Sequence, residues 1–75
     1  MDIRDNLALI VKEKAFVQAE IARRAGLTPM KFGAVLAKKR KLDANELFRI
    51  CNVIAMTPEA IANYRTESAP DNGQT

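Results

Sequence analysis

The sequence lacks most of the residues that enzyme and metal sites depend on. It has 75 residues, no histidine and a single cysteine, Cys51. Without histidine the chain has neither the commonest general base nor the commonest metal ligand, and one cysteine excludes an internal disulfide. Because the sequence holds no nucleophile–base pair, metal cluster or cofactor motif, we expect a protein that is not an enzyme and binds no cofactor or metal.

Aromatic residues and long apolar runs are also scarce. Aromatics make up 5% of a chain that is 48% apolar, so aliphatic residues and alanine must form the core. A chain of this length forms one domain and buries only about 60% of its unfolded surface. The first residues lack the basic head and apolar run of a signal peptide, and no stretch is long enough to cross a bilayer. Together with the cysteine count, these features predict a cytoplasmic protein.

The charge is mildly basic and unevenly placed. The net charge is +3, and Lys38, Lys39, Arg40 and Lys41 are consecutive with no acid among them. Such a run on a folded scaffold is typical of a phosphate-binding surface, and it is equally typical of a solvated loop. Charge alone leaves both interpretations open.

Apolar periodicity and capping residues predict an all-α fold of five short helices around one core. Their boundaries are marked, in chain order, by Asp2, Gly26, Thr28-Pro29, the Asp43–Glu46 capping box and Thr57-Pro58. In the fourth helix the residues predicted to face inward are Leu47, Phe48, Ile50, Cys51 and Ile54. Gly33 lies inside the third helix, where it either permits a close approach or weakens the helix. The polar composition of residues 66–75 predicts a disordered tail after a domain at 1–65.

The segment from Gln18 to Leu36 meets the packing requirements of two helices that cross steeply through a tight turn. Ala22 is small where the helices must touch, and Gly26 suits the backbone of the turn. The positions that must lock the two helices together are apolar, namely Ile21, Ala25, Leu27, Phe32 and Val35. The segment therefore predicts a helix-turn-helix formed by the second and third helices.

From residue 3 to about residue 64, the sequence resembles the Cro/repressor-type (XRE-like) helix-turn-helix transcriptional regulators. The resemblance is carried by Gln18, Ala22 and Gly26, by residues 47–51 of the fourth helix and by residues 57–61 at the start of the fifth. It implies a lambda-repressor-like DNA-binding domain of the kind found in phages and mobile elements. In that family the third helix enters the DNA major groove.

The resemblance implies two sets of DNA contacts. Base contacts are expected from Thr28, Pro29, Met30, Lys31 and Ala34. Phosphate contacts are expected from Gln18, beside the positive end of the second helix, and from Lys38, Lys39, Arg40 and Lys41. Only Thr28 and Lys31 offer polar groups to bases, so we expect phosphate contacts and DNA shape to supply much of the affinity. Arg23 and Arg24 are either a solvated face or additional phosphate contacts.

The sequence departs from the family pattern at three places. Val17 stands where a capping residue is usual, so the second helix lacks a good N-cap. Val11 and Leu36 stand where many members have a buried ion pair, and we predict that they touch in the core. Ala55 replaces the usual glycine after the fourth helix.

These features favour a transcriptional regulator, in particular a repressor, that binds double-stranded DNA as a homodimer. Its half-sites would lie about one helical turn (34–36 Å) apart. The candidate dimer residues are Ile54, Met56, Ile61 and Tyr64, which can equally complete the core. The alternative is an antitoxin-like or adaptor-like protein-interaction module in which Met30 and Ala34 form a docking patch. The basic run at 38–41 favours nucleic acid, and no membrane partner is expected.

Overall fold

The computed structural model describes residues 2–64, and these residues form five α-helices and no strand. In chain order the helices are α1 (Ile3–Glu13), α2 (Gln18–Arg24), α3 (Pro29–Leu36), α4 (Ala44–Ile54) and α5 (Pro58–Ala62). The all-α prediction is therefore confirmed for this part of the chain. The predicted tail at 66–75 lies outside the described residues. No helix within residues 2–64 has both the length and the apolar character needed to cross a membrane.

The core lies where the inner faces of the helices meet. α1 packs against α3 and α5, while α2 packs against α3 and α4. Phe32 is the largest side chain that is fully buried, and aliphatic residues and alanines surround it. Val11 belongs to this cluster and Leu36 packs half-buried against it, so both residues contribute to the core. Phe48 was predicted to face inward, and that is wrong, because 55% of its surface is exposed on α4.

Four of the five helices begin at a side chain that accepts a backbone hydrogen bond. The predicted caps Asp2, Thr28, Asp43 and Thr57 each accept from a backbone N–H in the first turn of the helix, at 2.8–3.1 Å. Asp43 and Glu46 form the predicted capping box. α2 is the exception, because Val17 makes no such bond and is 67% exposed. The start of α2 thus depends on packing rather than on a cap.

Four helices end in a residue with left-handed backbone, and only one of these residues is a glycine. They are Ala15 (φ 56°), Gly26 (φ 76°), Lys38 (φ 61°) and Ala55 (φ 58°). In each case the next residue donates its N–H to a carbonyl five positions back, at 2.8–3.1 Å. This is the bond of the Schellman motif, which closes a helix end. Ala55 therefore adopts a geometry that glycine most often provides.

A buried amide joins the first helix to the last. Asn6 is fully buried, and its Nδ2 donates to the carbonyl oxygens of Ile61 at 2.9 Å and Ala62 at 3.0 Å. These carbonyls lie at the end of α5, where helical partners are lacking. Because α5 has only five residues, this pair of bonds is a large part of what fixes it against α1.

The positions of two predicted dimer residues correct that prediction. Ile54 is 7% exposed and Ile61 is fully buried, so both fill the core of the single chain and offer no surface to a second copy. Met56 and Tyr64 are half-buried. The Tyr64 hydroxyl donates to Glu13 at 2.7 Å, and this hydrogen bond raises the pKa of Tyr64.

Candidate nucleic-acid interface

The predicted base-contacting residues lie on one side of α3. The opposite side is buried, with Phe32 and Val35 fully enclosed. Thr28, Pro29, Met30 and Lys31 are exposed, and 84% of the surface of Met30 is accessible. Ala34, one turn further on, is half-buried. The helix therefore presents a surface of small and apolar groups with one lysine.

Thr28 has a structural role in addition to the predicted contact with bases. Its Oγ1 accepts a hydrogen bond from the Lys31 N–H at 3.1 Å and so caps α3. A hydroxyl also has one hydrogen to donate, and this donor is what Thr28 can offer a base acceptor. The Thr28 side chain can therefore cap α3 and contact a base at the same time.

Gln18 lies against α3 at Gly33. A Cβ atom added at Gly33 would be 3.3 Å from Nε2 of Gln18, tighter than ordinary van der Waals contact. Of the two interpretations of Gly33, the close approach is the one that the structure bears out. The absence of a side chain at Gly33 lets the Gln18 amide sit beside the exposed surface of α3.

Arg49 braces the turn between α2 and α3. Its Nε donates to the Ala25 carbonyl at 2.7 Å, across 24 positions of sequence. Ala25 caps the end of α2, and Gly26 follows with left-handed backbone. The bond fixes the turn to α4 and thereby helps to set where α3 begins. Sequence reasoning missed this role, because no local pattern marks a contact between residues so far apart.

The basic loop at residues 38–41 is partly neutralised by the chain itself. Nζ of Lys38 lies 3.3 Å from Oδ2 of Asp5. Nη1 of Arg40 lies 3.2 Å from Oε2 of Glu46, whose exposed fraction is 7%. Arg40 is half-buried, so its guanidinium holds the capping box of α4 in place. Arg40 therefore has a structural role, and its contact with phosphate stays a prediction.

The two remaining lysines of the loop are the ones most available to a phosphate. Lys39 and Lys41 are exposed and form no ion pair within residues 2–64. The Lys38–Asp5 pair is also at the surface, where such pairs contribute little stability and separate readily. Of the four predicted phosphate contacts in the loop, Lys39 and Lys41 are thus unpaired within residues 2–64, while Lys38 and Arg40 each have an acidic partner.

A further arginine ties the loop to the start of α1. Nη1 of Arg4 donates to the Arg40 carbonyl at 2.9 Å, while its other nitrogens bond both carboxylate oxygens of Asp2. These hydrogen bonds hold the pKa of Asp2 well below its usual range and raise the pKa of Arg4. The backbone of the basic loop is thus held in one place by its neighbours.

Residues 2–64 contain one thiol, that of Cys51. Cys51 is buried, and burial raises the pKa of its thiol, which disfavours the reactive thiolate. No three ligand-type side chains of residues 2–64 come together as a metal site would need.

Comparison with protein-family models, curated proteins and solved structures found no match for this chain. The resemblance to Cro/repressor-type regulators thus stays a prediction based on the residues that carry it. What supports a function is the placement of α3, Gln18 and the basic loop.

Proposed function

We propose that the chain is a DNA-binding transcriptional regulator, a repressor, that uses α2 and α3 as a helix-turn-helix and places α3 in the major groove. The observation that carries the proposal is that the exposed side of α3 has Gln18 beside it at Gly33 and the loop with Lys39 and Lys41 at its end. A surface that enters a groove needs phosphate contacts at its borders, and this arrangement supplies them.

The chemistry of α3 suits close approach more than dense base recognition. Met30 can pack on a thymine methyl group, and Lys31 and the Thr28 hydroxyl can bond base edges. Gly33 and Ala34 add no bulk, so the helix can lie deep in the groove. The lack of forked donor–acceptor groups on this surface favours affinity derived from phosphates and DNA shape.

The proposed complex is a homodimer on a pseudo-palindromic site. One chain of this size covers one half-site, so two copies provide useful affinity. With Ile54 and Ile61 in the core, the residues left for a contact between copies are Met56 and Tyr64, both half-buried.

Selection of bound sequences from a random DNA pool, with mass measurement of the complex, tests the proposal. A two-fold symmetric consensus bound by two chains is the expected result. Absence of enrichment at moderate salt would contradict it and favour the protein-interaction module, for which the large exposed fraction of Met30 is the supporting observation.

Paired lysine variants test the phosphate contacts separately from the consensus. Lys39→Gln and Lys12→Gln remove the same charge from two exposed positions, one in the basic loop and one near the end of α1. Lys39→Gln is expected to reduce the slope of log affinity against log salt by about 1, the value for one lost phosphate contact. Equal effects of the two variants would show that net charge, and not the loop, attracts DNA.

A further inference from the structure

An apolar cleft lies between the α1–α2 connection and the end of α4. It has a volume of about 300 Å³. Its apolar lining is formed by Phe16, Val17, Ile21, Val53 and Ile54. Val17 is 67% exposed, so the cleft presents aliphatic surface that the core of residues 2–64 does not cover.

A second, more polar hollow adjoins the cleft. It also measures about 300 Å³, is lined by Arg24, Arg49, Asn52 and Val53, and shares Arg24 and Val53 with the cleft. The two hollows therefore form one continuous surface that is apolar at one end and basic at the other.

The arginines of this surface have hydrogen-bonding capacity to spare. Arg49 uses its Nε for the Ala25 carbonyl, and a guanidinium has five N–H donors. Arg24 makes no ion pair within the described residues. Glu20 is the one acid that lines the cleft, and it is already paired with Arg23. The surface thus has unneutralised positive charge next to exposed aliphatic groups.

We propose that this surface binds an acidic segment of another protein, with one large apolar side chain in the cleft and its carboxylates on Arg24 and Arg49. Guanidinium groups bind carboxylates in a forked geometry, and the aliphatic cleft removes an apolar side chain from water. A DNA backbone matches only the basic half, because a phosphodiester has no apolar group for the cleft. The proposal does not depend on the proposed DNA-binding function.

Titration of a defined peptide into the isotope-labelled chain tests the proposal. The probe is the blocked pentapeptide with one leucine between two glutamates on each side, followed through backbone amide signals. Binding is expected to shift the signals of residues 15–24 and 49–54. Replacing the peptide's leucine with alanine is expected to weaken binding. Because only the peptide changes in this comparison, the protein is the same in both titrations and misfolding of a variant plays no part.

Two exposed cations provide the matched protein variants. Arg24→Gln is expected to weaken binding by about threefold, the size of one exposed ion pair. Lys12→Gln removes the same charge from an exposed residue that lines neither hollow and makes no ion pair within residues 2–64, and it is expected to leave binding unchanged.

Three results would overturn the proposal. Absence of shifts, or equal binding of the leucine and alanine peptides, shows that the cleft takes no side chain. Shifts confined to residues 38–41 show general attraction of acid to the basic loop. Displacement of the peptide by a short random-sequence duplex, with shifts at the same arginines, assigns Arg24 and Arg49 to DNA phosphates.

Discussion

The ends of α2 and α4 are built from nearly the same four residues. At 26–29 the order is glycine, leucine, threonine, proline, and at 55–58 it is alanine, methionine, threonine, proline. Both turns start with left-handed backbone, φ 76° and 58°. Each turn is closed by a backbone hydrogen bond, from the Leu27 N–H to the Ala22 carbonyl at 2.8 Å and from the Met56 N–H to the Cys51 carbonyl at 3.1 Å. Each turn is followed by a threonine that caps the next helix.

The two turns differ in how that backbone is stabilised. Gly26 adopts it without steric cost, and Arg49 braces the turn from outside. Ala55 has a Cβ atom, and left-handed backbone then costs about 1–2 kcal/mol. The buried neighbours Ile54 and Ile61 fix the chain on both sides of the second turn. Left-handed backbone is thus adopted without strain at Gly26, whereas at Ala55 it is strained and is held by the packing of its neighbours.

Gly26→Ala is expected to have the largest effect, a net loss of about 1 kcal/mol or more in the free energy of unfolding, because left-handed strain exceeds the chain entropy that alanine removes from the unfolded state. The cause is the backbone, since the nearest atom to an added Cβ is Nε of Arg49 at an ordinary 3.7 Å. Denaturant unfolding measures it. Gly26→Asn is the control, because asparagine adopts left-handed backbone more readily than alanine. An equal loss from the two variants would contradict the backbone explanation.

Thr28→Ala and Thr57→Ala are each expected to cost about 1 kcal/mol, the usual value of an N-cap. The two hydroxyls accept equivalent bonds, at 3.1 and 3.0 Å. Matched urea titrations compare them. If Thr57→Ala leaves stability unchanged, the second turn is held by packing alone and the likeness between the turns is superficial.

Arg49→Met is expected to cost about 1 kcal/mol, less than the about 1.5–3 kcal/mol usual for a hydrogen bond to a charged group, because the side chain is largely exposed. Hydrogen exchange locates the effect. The Leu27 amide should exchange faster, while the Met56 amide, which closes the second turn, stays unchanged. Arg24→Met removes an arginine without that bond and serves as the control. Faster exchange at both amides would show that Arg49 supports the whole fold.

Ala55→Gly is expected to stabilise the chain by about 0.5 kcal/mol. Relief of left-handed strain exceeds the entropy that glycine adds to the unfolded chain. Ala15→Gly, at the end of α1, should act in the same direction for the same reason. Thermal or urea unfolding measures both. Loss of stability at Ala55 would mean that its methyl group contributes more packing than its backbone costs.

The smallest expected effect concerns the chemical reactivity of the Cys51 thiol rather than the stability of the fold. The carbonyl of Cys51 closes the second turn, and burial raises the pKa of its thiol. The thiolate is the reactive form, so at a given pH less of it is present in the folded chain than in the unfolded one. Iodoacetamide should therefore modify native protein more slowly than protein in urea, and the gap should narrow as pH rises. Equal rates at neutral pH would show that the second turn opens freely.

Most local signals were read correctly from the sequence. The four caps and the left-handed Gly26 depend on residues within one helical turn of each other, so spacing alone reveals them. The buried Phe32 and Val35 follow from helical periodicity. The exposed surface of α3 at Met30 and Lys31 follows from the same period.

Contacts between distant residues were missed. The Asn6 amide and the Arg49 brace join residues 55 and 24 positions apart, and neither pair has a local pattern. The charges of Lys38 and Arg40 were read as free because their acids, Asp5 and Glu46, are brought to them by folding. Phe48 was placed inside because it lies beside core positions, yet the helix turns it outward.

The hydrogen bonds from the Asn6 side-chain amide also affect when the chain can fold during its synthesis. They need the carbonyls of Ile61 and Ala62, which leave the ribosome long after Asn6 does. Until then only some of the residues that pack on the buried face of α1 have been synthesised. A helix of five residues, such as α5, is not stable by itself and forms only when it packs against α1. The fold is therefore completed in a late step, when residue 62 has emerged from the ribosome. In a nascent chain stalled before that point, the Asn6 amide and the core residues around it would be exposed to solvent.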